Sequence, residues 1–335
     1  MIKKIIAGLL VIGIVVLACF KIFSNNDTSR KDLKKIGEEL TSYHMEANMD
    51  ITNANDDIRK FYVNVDYMKG EVDHFRISLI DKEINQEQIM IRNSEGVYVL
   101  TPKLNQVYEF KGDYPLNTPK PYLYHSIIQE IEKDNYEAKK TTDGYIINAK
   151  TEYKNHPSWN KQEIKLSKDL KPVWVNIYDS NNNLVVAINF IKVEFNIGMD
   201  KALFDVEANI KKSKEEVVST SKQVEELPLI PKVDENKTSL KEQTEVVIDG
   251  NKMYILSYTG DINFTLVQKD IKANDVLDSK VVSGELVSMY TGVGFYENKT
   301  LTFIIDEREF QIYSPSLTVS EMLEIVSSMQ VEVVK

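Results

Sequence analysis

The sequence predicts an α+β protein built on a large, strongly curved antiparallel sheet, followed by a small α+β domain. Apolar and polar residues alternate from residue 44 to about residue 196, which is the pattern of half-buried strands. Two amphipathic helical patterns accompany this alternation, and a charged stretch separates it from a second group of strands. Because the apolar face of such a sheet must be shielded from water, we expect the helices to cover it.

Composition limits the class of protein. The chain has 335 residues, of which 42% are hydrophobic and 27% charged, as is typical of a globular protein. Its formal net charge is −10, whereas nucleic-acid binding needs a clustered excess of Lys and Arg, so we expect no nucleic-acid partner. The single cysteine excludes a disulfide framework and a cysteine-based zinc site.

The N-terminus has the layout of an export signal. Two lysines precede an apolar run from Ile5 to Phe20, which contains the tetrapeptide Val-Leu-Ala-Cys. A small residue directly before a cysteine resembles the lipobox of bacterial lipoproteins, although Val16 and Leu17 depart from the usual form of that motif. Residues 1–23 are therefore predicted to be a signal peptide or membrane anchor with a lipobox, and Cys19 is the predicted lipidation site.

An alternative interpretation of this segment stays open. An uncleaved signal anchor would extend to Phe23, and Cys19 would then be an ordinary buried thiol. Both interpretations place the rest of the chain at the cell membrane, on its extracytoplasmic face. They differ in whether a covalent lipid anchors it.

Residues 24–208 are assigned to the first domain. One helix is predicted over Ser29–Tyr43, where apolar residues recur at spacings of three and four, and another over Pro121–Lys133. Strands fill the remainder, and the clearest pair is Val173–Ile177 and Leu184–Phe195, joined by an Asn-rich turn. The two helices are the expected cover of the sheet.

The C-terminal third contains a predicted linker and a second domain. Residues 209–245 are rich in charge, contain prolines and hold no apolar period, which favours a linker whose first part can be helical. Residues 246–335 form the predicted small α+β domain, in which strands return and a helix closes the chain. Thr318 precedes Glu321 by three residues at the start of that helix, the arrangement of a capping box.

One stretch carries a family likeness. Ile89–Tyr108 (IMIRNSEGVYVLTPKLNQVY) is followed by a tyrosine-proline turn at Tyr114 and by a helix that begins near Tyr122. These features resemble the LolA-like superfamily, which includes outer-membrane lipoprotein carriers and sigma-factor regulators. Within it, the chain is most similar to the clostridial germination lipoprotein GerS and its relatives. The likeness covers roughly residues 30–200.

The resemblance implies a curved antiparallel half-barrel with helices covering the concave face. In the carriers the cavity holds acyl chains, whereas GerS-like proteins are implied to bind and regulate a partner, a cortex-processing amidase. GerS-type proteins are often shorter, so the C-terminal domain is an addition to that pattern. The expected class is thus an envelope lipoprotein of a spore-forming bacterium.

Enzymatic motifs are weak in this sequence. The four histidines lack the i, i+4 spacing of a helical metal site, and we expect them on the surface or at caps. Two Ser-x-x-Lys matches, at Ser158 and Ser219, lie in a predicted loop and in the linker rather than at a helix start. Asp306–Glu309 is expected to be a solvated hairpin loop. We therefore predict no enzyme activity, no metal and no cofactor.

Tyrosines are the candidate binding residues. Tyr114, Tyr122 and Tyr124 lie in a proline-rich loop and at the start of the second helix. Tyrosine is enriched at partner surfaces and in ligand pockets, so these three are predicted to form a cavity rim or a partner surface. Ordinary packing on strand faces is the alternative.

The predicted function follows from the anchor and the fold. We expect a non-catalytic, membrane-anchored lipoprotein that binds and regulates an envelope protein, such as a cortex or cell-wall amidase, in sporulation or germination. The alternative is a lipid or lipoprotein carrier that binds acyl chains in the barrel cavity. A chain tethered at Cys19 cannot travel far, which favours the first of these.

Overall fold

The structure is a computed structural model that describes residues 31–53, 56–111, 114, 120–133, 135–216, 228–248, 251–271, 277–305 and 307–329, without the side chains of 214–216. The predicted export segment, Cys19, Pro115 and Ser219 lie outside the described residues. Within the described ranges, no helix has both the length and the hydropathy needed to cross a membrane.

Strands dominate the described part of the chain. In chain order they are β1 (Ser42–Thr52), β2 (Ile58–Met68), β3 (His74–Asp81), β4 (Gln86–Arg92), β5 (Val97–Thr101), β6 (Gln106–Phe110), β7 (Tyr136–Thr141), β8 (Gly144–Lys150), β9 (Trp159–Ser167), β10 (Pro172–Asp179), β11 (Leu184–Phe195), β12 (Thr238–Ile248), β13 (Asn251–Gly260), β14 (Phe264–Asp270), β15 (Asp278–Val282), β16 (Glu285–Met289), β17 (Gly292–Glu297), β18 (Thr300–Ile305) and β19 (Arg308–Tyr313). The helices are α1 (residues 31–39), α2 (Tyr124–Glu132), α3 (Val206–Glu216) and α4 (Val319–Ser328), with 3-10 turns at Pro102–Leu104 and Lys201–Phe204.

The strands form two sheets. The first has twelve strands in the order β15-β6-β5-β4-β3-β2-β1-β11-β10-β9-β8-β7, and its two ends do not pair with each other in the described structure. The second has seven, in the order β12-β13-β14-β19-β18-β17-β16. Every pairing is antiparallel except that of β15 with β6, which is parallel. The predicted curved antiparallel half-barrel is confirmed as a large, curved, open sheet.

Alternation along the strands places one row of side chains inside the curve. On β1, Tyr43, Met45 and Ala47 are buried while the residues between them are partly exposed. Leu33 of α1 and Ile127 of α2 belong to the same buried cluster as this row. The helices therefore cover the concave face as predicted, because they supply the apolar surface that the sheet needs to exclude water.

The second sheet provides further cover that the sequence did not indicate. Leu286, Val293 and Ile304, from β16, β17 and β18, join the core of the half-barrel. Conversely, Ile84 from the turn between β3 and β4 is buried in the core of the second sheet. Gln88 joins the sheets by hydrogen bonds, since its amide nitrogen donates to the Val293 carbonyl at 3.2 Å and its oxygen accepts from the Val293 N–H at 2.8 Å.

Strands β4 and β5 are covered on both faces. Ile89, Ile91 and Leu100 form a separate buried cluster with Phe204 and with Ile210 of α3. The opposite face of the same strands contacts the second sheet. Double cover explains why the sequence of β5 is apolar at successive positions rather than alternating.

Two predicted boundaries differ from the structure. The helix predicted over Ser29–Tyr43 is helical only to residue 39 in its described part, and Tyr43 lies on β1. Tyr43 lies three residues after Leu40, which fits a helix, and two residues before Met45, which fits a strand. Spacing alone therefore did not show whether Tyr43 ends the helix or begins the strand. The stretch predicted as a linker, residues 209–245, contains most of α3, in line with its helical first part, and also the first part of β12, which the sequence pattern did not predict.

Candidate functional site

A small cavity lies between the concave face of the half-barrel and the second sheet. Its volume is about 70 Å³. The walls are mostly apolar, from Ile51, Phe61 and Val186 of the half-barrel and Leu286 of β16. That space holds about two water molecules, whereas pockets for drug-sized ligands start near 300 Å³.

Lys120 supplies positive charge at this cavity. Its side chain is buried, its Nζ donates to Ser288 Oγ at 2.8 Å, and the same atom lies 5.0 Å from the centre of the Tyr114 ring. Burial lowers the pKa of Lys120 to about 8, and the carboxylate of Glu285 opposes that shift. The ammonium group is thus held by a hydroxyl and an aromatic face, which stabilise a cation without neutralising it.

His156 and Trp159 form a stack beside Lys120. The two rings are 3.9 Å apart between centroids and nearly parallel. Burial lowers the pKa of His156 to about 4, so the imidazole is neutral near pH 7. Its Nε2 lies 3.3 Å from the carbonyl oxygen of Ser288, so that nitrogen carries the proton and donates. Ser288 of β16 therefore contacts both Lys120 and His156.

A larger cleft adjoins the cavity. It has a volume of about 470 Å³, and Ile51, His156 and Trp159 line both spaces. The walls come from the turn between β10 and β11, from loops of the half-barrel and from α4. The cleft lining includes three carboxylates and several amides and hydroxyls: Asp56, Asp179, Glu324, Asn53, Asn181, Asn183, Ser158, Ser320 and Ser327. Its lining is more polar than that of the cavity, and its volume lies within the range of about 300–1,000 Å³ that is usual for ligand pockets.

The three predicted tyrosines are all buried. Tyr122 lines the small cavity, whereas Tyr114 and Tyr124 are not among its lining residues. The Tyr114 hydroxyl contacts Met90 Sδ at 2.9 Å, and the Tyr124 hydroxyl donates to the Leu170 carbonyl at 3.2 Å. In this structure none of the three forms an exposed partner surface, and a binding role for them stays a prediction.

The histidines differ from the expectation of surface or capping positions. His125 lies among the rings of Tyr43, Tyr67 and Phe75, with centroid distances of 4.4 to 5.6 Å. Burial lowers its pKa to about 4. His44 does contact carboxylates, at 2.7 Å from Asp66, and that hydrogen bond raises its pKa. Across the described residues, no three His, Cys, Asp or Glu side chains are grouped to hold a metal ion.

The acidic hairpin is more than a solvated loop. Glu307 lies in the turn between β18 and β19 and contacts Lys103 of the half-barrel at 2.7 Å. Glu309 is buried and contacts Lys269 at 2.7 Å. Asp306 lies outside the described residues. These contacts give the carboxylates a structural role in joining strands and sheets.

No protein-family model matches the chain. Among curated proteins, it is similar to the sporulation protein YdcC of Bacillus subtilis (strain 168), at 28% identity over 338 residues that cover 97% of this chain and 96% of that protein.

Three solved structures share a distant likeness of fold. MucB in complex with MucA(peri) matches with a TM-score of 0.33 and 11% identity, covering 91% of this chain and 98% of that one. A putative outer membrane lipoprotein-sorting protein domain from Vibrio parahaemolyticus gives 0.31 and 14%, covering 56% and 99%. The LolA superfamily protein NE2245 from Nitrosomonas europaea gives 0.30 and 10%, covering 53% and 98%.

Proposed function

We propose that this chain is a non-catalytic envelope protein that binds and regulates another protein during sporulation or germination. The full-length similarity to a sporulation protein supports the developmental setting. The observation that carries the binding mode is the contrast between a small, mostly apolar cavity of about 70 Å³ and a larger, more polar cleft of about 470 Å³. A cell-wall amidase is the partner class implied by the GerS-like resemblance.

The small volume of the cavity argues against the carrier alternative. A carrier needs an apolar space that accepts an acyl chain, and ligand pockets usually measure about 300–1,000 Å³. Here α2, the segment at Lys120 and strand β16 occupy the concave side. The space that remains there, about 70 Å³, is below that range, so an acyl chain would have to displace packed side chains.

The extracytoplasmic location and the lipid anchor are part of the proposal. A lipid on Cys19 would keep the cleft near the membrane surface, where an envelope enzyme acts. Radiolabelled palmitate incorporation tests this directly. Label should appear in the wild type and disappear in Cys19→Ser, and label retained in that variant would exclude lipidation at this residue.

The contact between Lys120 and Ser288 has the atom types of a Ser-Lys catalytic pair. We propose that it is a tether, because Ser288 lies within β16, which is paired with β17 along its length, and the cavity leaves little room for a substrate. A fluorophosphonate probe should therefore fail to label the chain. Labelling that Ser288→Ala removes would contradict the non-catalytic assignment.

The partner can be identified by affinity purification of the full chain from membranes of sporulating cells, with mass spectrometry of both proteins and lipids. Stoichiometric recovery of one cell-wall hydrolase or other envelope protein, without bound lipid, supports the proposal. A bound acyl lipid without a stable protein partner supports the carrier instead.

Two matched variants locate the binding surface. Asn181 lines the cleft, whereas Asn236 does not. The two positions are matched because the backbone N–H of each asparagine donates to the side chain of the aspartate two residues earlier. Asn181→Arg should release the partner while Asn236→Arg retains it. Filling the cavity by Val186→Phe should leave partner binding intact but would prevent lipid uptake. Partner loss in both asparagine variants, or in neither, would rule out the cleft.

A further inference from the structure

Strand β12 forms an open edge of the second sheet. Within the described residues it pairs with β13 on one side only. Most of its eleven side chains are exposed, including Leu240 at 40%, Val247 at 62% and Ile248 at 52%. A long strand with unpaired N–H and C=O groups and apolar side chains is a template for another strand.

The sequence of β12 is complementary to itself in one antiparallel register. When Gln243 of two copies face each other, each Lys241 lies opposite Glu245 of the other copy. Opposite charges directly across a ladder stabilise a sheet, whereas like charges weaken it.

Neighbouring registers are less favourable. Centring the pair on Thr244 moves Lys241 opposite Val247, so its charge has no counterpart across the ladder. Centring on Glu245 or on Glu242 sets two carboxylates against each other at the axis. The register centred on Gln243 is therefore the one that the charges select.

The charged side chains are available for this contact. Glu245 contacts Lys252 of its own copy at 2.9 Å, and both side chains are about half exposed. A carboxylate has lone pairs for a second ammonium group, so Lys241 of the other copy can be added. A bulge between Leu240 and Glu242 leaves Lys241 without a Cα partner on β13.

We propose that two copies of this chain associate through antiparallel pairing of their β12 strands, with Gln243 at the two-fold axis. The contact joins the second sheets of the two copies into one continuous sheet and removes both exposed edges. This inference is independent of the proposed partner, because β12 does not line the cleft.

Site-specific crosslinking tests the register in membranes that contain the full chain. Gln243→Cys should form a disulfide-linked dimer under mild oxidation, since facing residues lie within disulfide reach. Glu242→Cys and Thr244→Cys should crosslink at least about tenfold less, because each is offset from its own copy by two residues, roughly 6.6 Å along the strand. The wild type, with Cys19 alone, gives the background.

Charge exchange tests the same contact in detergent solution. Lys241→Glu should weaken dimerisation about tenfold, since two like-charge pairs replace two favourable ones. The double variant Lys241→Glu with Glu245→Lys should restore the wild-type dimer. Lys252→Glu breaks only the contact within one copy and is the matched control, with dimerisation near the wild-type level.

The outcomes separate clearly. Crosslinking that peaks at Gln243, together with rescue by charge exchange, supports the proposal. A chain that stays monomeric at every soluble concentration overturns it. Equal crosslinking at all three positions also overturns it, because the strands would then have no preferred register. A double variant that dimerises no better than Lys241→Glu would likewise overturn it, by showing that residues 241 and 245 do not face each other.

Discussion

At the scale of single residues, Gly292 fixes the contact between the two sheets. Its φ of +128° is strained for any residue with a side chain, and a Cβ there would collide with Gln88 Oε1. Gly292→Ala should lower the free energy of unfolding by about 2–4 kcal/mol, through backbone strain and loss of the Gln88 hydrogen bonds. Chemical denaturation measures this change.

Gly198 is the matched control for that substitution. A Cβ at Gly198 would meet nothing within 4 Å, so Gly198→Ala should change stability by less than about 0.5 kcal/mol. Equal effects of the two substitutions would show that the Gly292 conformation does not constrain the contact between the sheets.

His125 should make the protein less stable in acid. Burial lowers its folded pKa to about 4, below the unfolded value of 6.5. As the pH falls from 6.5 towards 4, the unfolded chain binds a proton that the folded chain excludes, so stability decreases. The loss is at most about 3 kcal/mol over that range. His125→Phe should reduce the slope of unfolding free energy against pH in this range, by an amount that corresponds to the uptake of at most one proton.

His44 provides the control of opposite sign. The hydrogen bond to Asp66 raises its folded pKa, so its stabilisation is present below pH 6.5 and is lost as the pH rises through the raised value. His44→Gln should therefore abolish the gain in stability that the wild type shows as the pH falls from the raised pKa to 6.5. If both variants change the slope in the same direction, the assigned environments are wrong.

At the scale of elements, α4 is defined by its cap. The Thr318 hydroxyl accepts from the Glu321 N–H at 3.3 Å, and the Glu321 carboxylate accepts from the Thr318 N–H at 2.7 Å. Thr318→Ala should cost about 1 kcal/mol of stability. Ser316→Ala, two residues earlier on the same exposed loop, is the control and should have little effect. A urea titration of both variants would contradict the role of the cap if their midpoints matched.

Sequence patterns predicted elements best where local chemistry alone defines them. The capping box of α4 and the hairpin of β10 and β11 are both confirmed, because turn and cap residues act within a few positions. Strand β12 was missed, since an exposed edge strand has no buried face to create alternation. Strand β15 was missed because it pairs with distant β6, and pairing partners at long range leave no local signal.

The candidate site was harder to predict than the fold. Tyr122 was singled out and does line the cavity. Lys120, His156 and Ser288 were not, because their proximity depends on how the second sheet packs against the half-barrel. The only local signal was a lysine in an apolar, proline-rich segment, and such a lysine is normally exposed.

At the scale of the whole molecule, the two sheets should unfold together. Each buries apolar side chains of the other, and Gln88 satisfies both backbone groups of Val293. Both tryptophans lie on strands of the half-barrel; the fluorescence of Trp174 reports that sheet, whereas Trp159 also lines the cavity next to the second sheet. Unfolding curves followed by tryptophan fluorescence and by far-UV circular dichroism should therefore coincide in the wild type.

Gln88→Met tests whether the contact carries this cooperativity. The substitution keeps the volume but leaves the N–H and C=O of Val293 unpaired, which should lower the free energy of unfolding by about 2–4 kcal/mol. The fluorescence midpoint should fall although neither tryptophan bonds to Gln88. Gln311→Met, which loses one bond to Glu309 within β19, should shift that midpoint by less than about 1 kcal/mol. A fluorescence midpoint that Gln88→Met leaves unchanged would mean that the half-barrel folds without help from the second sheet.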